Sequence, residues 1–189
     1  MKTIILWLLF LVSLHAGTGE KIIDAARKQI GVTVTYDPAY VSLSYPNGDL
    51  PRDRGVCTDV LIRALRDSLS VDLQKLVHED MVSHFSVYPK QWGLSRADKN
   101  IDHRRVPNLK TYFKRRSLEV PAAPSGYFSS FLPGDIVTCT VPPNLPHVMI
   151  VSDRKTLEGR PMVIHNIGGG TREEDALARF SITGHYRWK

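Results

Sequence analysis

Cysteine is scarce in this sequence: only Cys57 and Cys139 occur among 189 residues. Two cysteines allow at most one disulfide, so the chain is not a small scaffold built on several bridges and must bury a core of its own. The Cys-x-x-Cys pairs and the His-Glu-x-x-His pattern of local zinc sites are also missing. We therefore expect no metal and no other cofactor.

Long apolar runs are missing beyond the first residues. Residues 4–14 are almost entirely apolar, follow Lys2 and precede the small residues Ala16 and Gly17, a pattern typical of a signal peptide. The run is shorter than a helix needs to cross a bilayer. We predict a signal peptide over residues 1–19, cleaved near Ala16, and a periplasmic or secreted protein without stable membrane insertion after cleavage.

Acidic residues are in deficit: 19 Asp and Glu face 25 Lys and Arg, which gives a formal net charge of +6. A basic surface suits anionic polymers, and export makes an anionic cell wall or acidic lipid a better match than nucleic acid. The densest basic stretch, residues 102–116, is equally typical of a solvated charged face. We expect no nucleic acid partner.

The spacing of apolar residues predicts helices first and strands later. Helices are predicted over residues 20–30, from Cys57 onward, over 72–85 and around 109–115, with Ile30 facing inward and Ser70 as a cap. The β-rich runs LPGDIVTCTV, HVMIVSD, PMVIHNI and GHYRWK follow, separated by turn residues. This order indicates a single α+β domain over residues 20–189, with N-terminal helices packed on a C-terminal antiparallel sheet.

Cys57 stands where the loop RDRGV meets an amphipathic helix. A thiol in the first turn of a helix meets the positive end of the helix dipole and unpaired main-chain N–H groups. Both favour the thiolate, and the N–H groups can also hold an oxyanion. Position alone leaves four interpretations open, because a buried core residue, a disulfide partner of Cys139 and a metal ligand fit as well as a nucleophile.

Two histidines in the strand-rich region extend this pattern. His147 begins HVMIVSD, and His165 ends PMVIH beside Asn166. A histidine at the start of a strand suits a general base, and a polar group on the neighbouring strand can orient its ring. Each histidine alone fits a satisfied or exposed side chain, but the three residue types in this order indicate a nucleophilic site.

The order of these motifs resembles the NlpC-type papain-like cysteine peptidases that trim bacterial cell walls. The matching phrases are QIGVTVTY, GVCTDVLIRAL, LPGDIVTC, HVMIVSD and VIHN, spread over residues 20–166. The resemblance implies a papain-like fold in which Cys57 is the nucleophile, His147 the base and His165 the orienting residue.

Further assignments and departures follow from the same resemblance. Tyr36 resembles a tyrosine near that family's cysteine and, with Asn166 and Asp59, is assigned to support of the oxyanion and the site. Val56 replaces the family's usual acidic residue before the cysteine, and Asp59 appears two residues after it. The phrases YPNGD, DRGVCTD and NIDHRRVPNL resemble more closely a little-characterised family of exported bacterial proteins that includes YijF.

The resemblance implies an exported, monomeric cysteine hydrolase that cleaves amide or peptide bonds, with peptidoglycan stem peptides as the expected substrate. His103, Arg104 and Arg105 are candidates for binding substrate carboxylates, with solvated charge as the alternative. Three other interpretations remain open. The protein could be a catalytically silent wall-binding module, a protein held by a Cys57–Cys139 disulfide, or a protein that binds a metal through Cys57, His147 and His165.

Overall fold

The computed structural model describes residues 17–121 and 128–189. The expected cleavage point near Ala16 and the apolar run before it lie outside these ranges. The first helix begins at Thr18 and therefore includes two residues at the end of the expected signal peptide. Within the described ranges, no helix has the length and apolar character to span a membrane.

Within residues 17–121, the chain forms four α-helices: α1 (Thr18–Arg27), α2 (Cys57–Leu69), α3 (Leu73–His84) and α4 (Val106–Arg115). The start of α2 at Cys57 is as the sequence predicts. Ile30 was expected to face inward, but α1 ends before it and leaves its side chain 39% exposed. The cap of α3 is Asp72, whose carboxylate accepts from the Lys75 N–H, whereas Ser70 forms the left-handed end of α2.

The strands form two sheets of different size. The residues Thr35–Tyr36 (β1) and Arg54–Gly55 (β2) make a short parallel pair. The main sheet contains β3 (Ile136–Val141), β4 (Leu145–Lys155), β5 (Pro161–Asn166), β6 (Thr171–Glu174) and β7 (Ser181–Tyr186), in the antiparallel order β6-β5-β4-β3-β7. The α+β class, with helices before an antiparallel sheet, is confirmed. Strand β6 was not predicted, because its charged sequence TREE lacks apolar alternation.

The main core lies between the helices and one face of this sheet. Each fully buried aliphatic side chain there contributes roughly 1.5–3 kcal/mol of burial free energy. Helix α2 packs on β4 and β5 and so brings its first turn to the strands that carry His147 and His165. The sheet residues of this core are Ile136, Val148, Ile150, Ile164 and Tyr186. A second apolar cluster on the opposite face includes Val137, Met149, Val151, Val163 and Leu177.

Arg63 anchors the long loop between β1 and β2. Its fully buried guanidinium binds the Asp49 carboxylate, with Nε and Nη2 at 3.0 and 2.9 Å. Further donors reach the carbonyls of Leu50 and Pro51 and the hydroxyl of Thr33. A buried charge is stable only when it is paired and hydrogen-bonded, so these contacts fix the loop that leads into α2.

We expect Arg63→Met to lower the free energy of unfolding by roughly 3 kcal/mol, because it removes one partner of a buried ion pair. Urea denaturation followed by circular dichroism measures this change. The control is Arg52→Met, which removes an exposed pair with Asp67 and should cost less than about 1 kcal/mol. Equal losses in the two variants would contradict the anchoring role of Arg63.

Candidate active site

The first turn of α2 presents Cys57 together with unpaired main-chain donors. Val56 is the N-cap residue, and its N–H donates to Asp59 Oδ2 at 2.7 Å. The carbonyl of Val56 accepts from the N–H groups of Asp59 and Val60. The N–H groups of Cys57 and Thr58 are left without a helical acceptor, as at every helix start, and stand at the positive end of the helix dipole.

A buried ion pair between Asp59 and Arg104 holds this helix start in place. Nε and Nη2 of Arg104 donate to the two carboxylate oxygens of Asp59 at 2.9 and 3.0 Å, and the side chains are only 2% and 5% exposed. The guanidinium also donates to the carbonyls of Asp37 and Ala39, each at 3.0 Å. Three separate pieces of chain are thereby gathered around Cys57.

The short β1–β2 pair places Tyr36 opposite Gly55, two residues before the cysteine. Gly55 has a φ of 154°, and a Cβ at this position would lie 2.9 Å from the Cβ of Asp59. Burial, followed by the repulsion that a Cys57 thiolate would exert, raises the pKa of Tyr36. Its hydroxyl therefore remains protonated at neutral pH and is a hydrogen-bond donor near the thiol.

The Cys57 sulfur lies against the main chain of β4. The N–H of Val148, the residue that follows His147, lies close enough to the sulfur to act on its pKa. Burial raises the pKa of the Cys57 thiol to about 12, although the N–H groups of Val148, Thr58 and Cys57 itself favour the thiolate. The helix start was expected to lower this pKa. Desolvation outweighs that effect here, so the resting residue is a neutral thiol.

His147, His165 and Glu174 form a hydrogen-bonded relay across three strands. Nε2 of His147 lies 2.7 Å from Nδ1 of His165, and Nε2 of His165 lies 3.0 Å from the Glu174 carboxylate. An ionised carboxylate only accepts, so Nε2 of His165 carries its proton and Nδ1 of His165 accepts from His147. Nδ1 of His147 is then the unprotonated ring nitrogen, the form that a general base requires.

Burial also determines the charge of the relay. Desolvation, together with the neighbouring His165, lowers the pKa of His147 to about 3. The pKa of His165 is lowered by burial as well, against the opposing effect of Glu174. Both imidazoles are therefore neutral at physiological pH.

Asn166 supports the site from the end of β5. Its Nδ2 donates to the Gly55 carbonyl at 3.0 Å, and its Oδ1 accepts from the Gly168 N–H at 3.1 Å. These contacts are with main chain, so Asn166 fastens the loop before Cys57 to the strand of His165 instead of orienting an imidazole directly.

A cavity of about 250 Å³ lies beside the thiol, bounded by Tyr36, Val56, Cys57, Trp92, Arg105, Pro107 and Pro146 among others. Pro146 directly precedes His147. The guanidinium of Arg105 lies over the Trp92 ring, 4.1 Å from its centroid, and one of its nitrogens is 3.5 Å from Asp102. Most of the Arg105 donors remain available to a bound anion.

The three basic residues expected to bind substrate occupy different environments. Arg105 faces the cavity. Arg104 also borders it, but its donors are taken by the ion pair with Asp59 and by main-chain carbonyls. His103 is 2% exposed, and burial lowers its pKa to about 3, which leaves it neutral.

The positions of Cys57 and Cys139 bear on the disulfide and metal-site interpretations. Cys57 and Cys139 are both buried free thiols. Cys139 lies opposite His147 in the β3–β4 register. Among residues 17–121 and 128–189, no group of three His, Cys, Asp or Glu side chains is arranged to hold a metal.

Two residues of the site were missed in the sequence. Glu174 lies in the acidic run TREED, where no motif separates it from a solvated carboxylate. Trp92 stands alone in an irregular segment. Its cavity position arises from packing against Arg105, which spacing does not predict.

Comparison with known proteins shows the family. Residues 23–188 match DUF1287, a domain of unknown function. The uncharacterized protein YijF of Escherichia coli (strain K12) is 53% identical over 177 residues, which cover 94% of this chain and 85% of YijF. The chain therefore belongs to the DUF1287 family.

Two crystal structures of an N-acetylmuramoyl-L-alanine amidase from Bacteroides uniformis share the fold. They superpose with TM-scores of 0.50 and 0.51 at 12% and 14% sequence identity. Each alignment covers 90% of this chain and 99% of the amidase chain. This similarity concerns the fold, since the sequences have diverged far.

We expect the alkylation rate of Cys57 by iodoacetamide to keep rising with pH up to at least pH 9. The raised thiol pKa makes the thiolate fraction grow about tenfold per pH unit below that pKa. Mass spectrometry of a Cys139→Ser variant measures the rate at Cys57 alone. A plateau reached below pH 7 would instead indicate a preformed thiolate–imidazolium pair.

Proposed function

We propose that this member of the DUF1287 family is an exported cysteine hydrolase that cleaves amide bonds of peptidoglycan through Cys57, His147 and His165. The observation that carries the proposal is the relay from Glu174 through His165 to His147, because it leaves Nδ1 of His147 unprotonated. The residues on either side of His147, Pro146 and Val148, both lie beside Cys57. The N–H of Val148 favours the Cys57 thiolate, and Pro146 borders the cavity beside the thiol.

The reaction begins from neutral groups. Cys57 transfers its proton to Nδ1 of His147 as the sulfur attacks the substrate carbonyl carbon. The N–H groups of Cys57 and Thr58, with the Tyr36 hydroxyl, donate to the oxygen that becomes negative. His147 then protonates the leaving amine, which departs and leaves a thioester on Cys57.

Water completes the cycle. His147 removes a proton from water as the oxygen attacks the thioester carbonyl, and the same proton returns to the sulfur when the acid product leaves. The relay keeps His147 in the correct tautomer throughout, because the Glu174 carboxylate holds the proton of His165 on Nε2. No cofactor takes part in these steps.

Two bonds are candidates for cleavage. The resemblance of the sequence motifs to NlpC-type peptidases favours a peptide bond of the stem peptide. The fold shared with an N-acetylmuramoyl-L-alanine amidase favours the amide between muramic acid and L-alanine. Arg105, which borders the cavity, suits a carboxylate of either substrate. The masses of the released fragments distinguish the two.

We expect the purified protein to release fragments from peptidoglycan and Cys57→Ala to lose at least about 1,000-fold in rate, because the nucleophile is removed. Liquid chromatography with mass detection measures the products. The matched control, Cys139→Ala, removes the other buried thiol and should remain active. Equal activity of Cys57→Ala and wild type would refute the cysteine mechanism, and binding without release would favour a silent wall-binding module.

We expect Glu174→Gln to lower kcat by about 100-fold, since an amide can donate to His165 and so reverse the tautomers along the relay. The change should appear in kcat and its pH profile more than in KM. Glu158→Gln, in the exposed turn between β4 and β5, is the control and should leave both unchanged. An unaltered kcat in Glu174→Gln would remove the relay from the mechanism.

A further inference from the structure

A second cavity, of about 310 Å³, lies on the far side of Pro107 and Pro146 from Cys57. Both prolines also border the first cavity, so the two spaces share a wall. Lys110, Thr111 and Lys114 line the second cavity from α4, and Thr140 and Thr183 line it from β3 and β7. No residue of this space takes part in the chemistry described above.

Lys110 borders this cavity from α4. Its ammonium has no hydrogen bond or ion pair to any residue in the described ranges, whereas Lys114 contacts Glu119 at 3.2 Å. Burial, followed by the charge of Lys114, lowers the pKa of Lys110, and the charge of Glu119 offsets these effects only in part. Both effects work against the charged ammonium, and a bound anion would relieve them.

The hydroxyl groups of the cavity complement this charge. Thr140 and Thr183 line the same cavity as the two lysines, and the Thr183 hydroxyl donates to that of Thr138 at 3.1 Å. A carboxylate has two oxygens that accept several hydrogen bonds, so an ammonium and a hydroxyl together satisfy it better than either does alone.

We propose that the second cavity is a substrate subsite in which Lys110 binds a carboxylate of the peptide chain that lies across Cys57. This inference rests on the proposed hydrolase function and extends it. The two cavities meet at Pro107 and Pro146, so a peptide that occupies both passes over these prolines between the thiol and the Lys110 ammonium. The site therefore selects substrates with a free carboxylate at a distance from the cleaved amide.

Binding to the inactive Cys57→Ala protein tests the subsite without turnover. Calorimetry compares muropeptides whose peptide carboxylates are free with the same muropeptides after amidation. We expect Lys110→Gln to raise the Kd of the free-acid peptide about tenfold and to leave that of the amidated peptide unchanged. The control is Lys75→Gln, an exposed lysine on α3 that should bind like the parent protein. Unchanged thermal midpoints show that each variant folds.

The outcomes separate this proposal from the hydrolase proposal. Equal Kd values for Lys110→Gln and Lys75→Gln would overturn the subsite even if wild type cleaves peptidoglycan. An equal loss with amidated and free-acid peptides would overturn the carboxylate assignment. Binding that depends on Lys110 in a protein whose wild type releases no fragments would support the subsite and refute the hydrolase.

Discussion

The buried pair of Asp59 and Arg104 is the interaction on which the site depends. Asp59 caps α2 through the Val56 N–H and at the same time neutralises Arg104. Arg104 in turn holds the carbonyls of Asp37 and Ala39. Burying two charges is costly unless every donor and acceptor is satisfied, and here the contacts that satisfy them also position the cavity walls. Loss of either partner leaves an unpaired buried charge, worth roughly 3–5 kcal/mol.

Burial gives the candidate machinery its electrostatic character. The thiol of Cys57 and the imidazole of His147 are both neutral at rest, because desolvation disfavours each charged form alone. In the proposed mechanism, charge appears only when a proton passes between them and substrate oxygen meets the donors of the helix start. Glu174 contributes at a distance, since it controls which ring nitrogen carries a proton. In that mechanism, preorganised donors and a fixed tautomer take the place of a lowered thiol pKa.

The helices and strands around the candidate site show how much of the fold the sequence predicts. The apolar stripe after Cys57 predicted α2, and the runs around His147 and His165 predicted β4 and β5, because periodicity follows directly from packing against one core. The end of α1 was less accurate, since Ile30 continues the apolar spacing beyond the last helical turn. Strand β6 was not predicted from the sequence, because it pairs through main-chain hydrogen bonds while its side chains are charged. The position of Glu174 beside His165 was therefore not predicted either.

The sequence by itself determined the α+β order, the helix that begins at Cys57 and the two histidines that follow on strands. Local periodicity and helix-start chemistry depend on near neighbours, so they are visible along the chain. Only the tertiary structure decided that Arg104 faces inward to Asp59 while Arg105 faces the cavity. The hydrogen bond between His165 and Glu174 also became visible only in the tertiary structure. Charge pairing and desolvation depend on distances between residues far apart in sequence, and those distances exist only once the chain has folded.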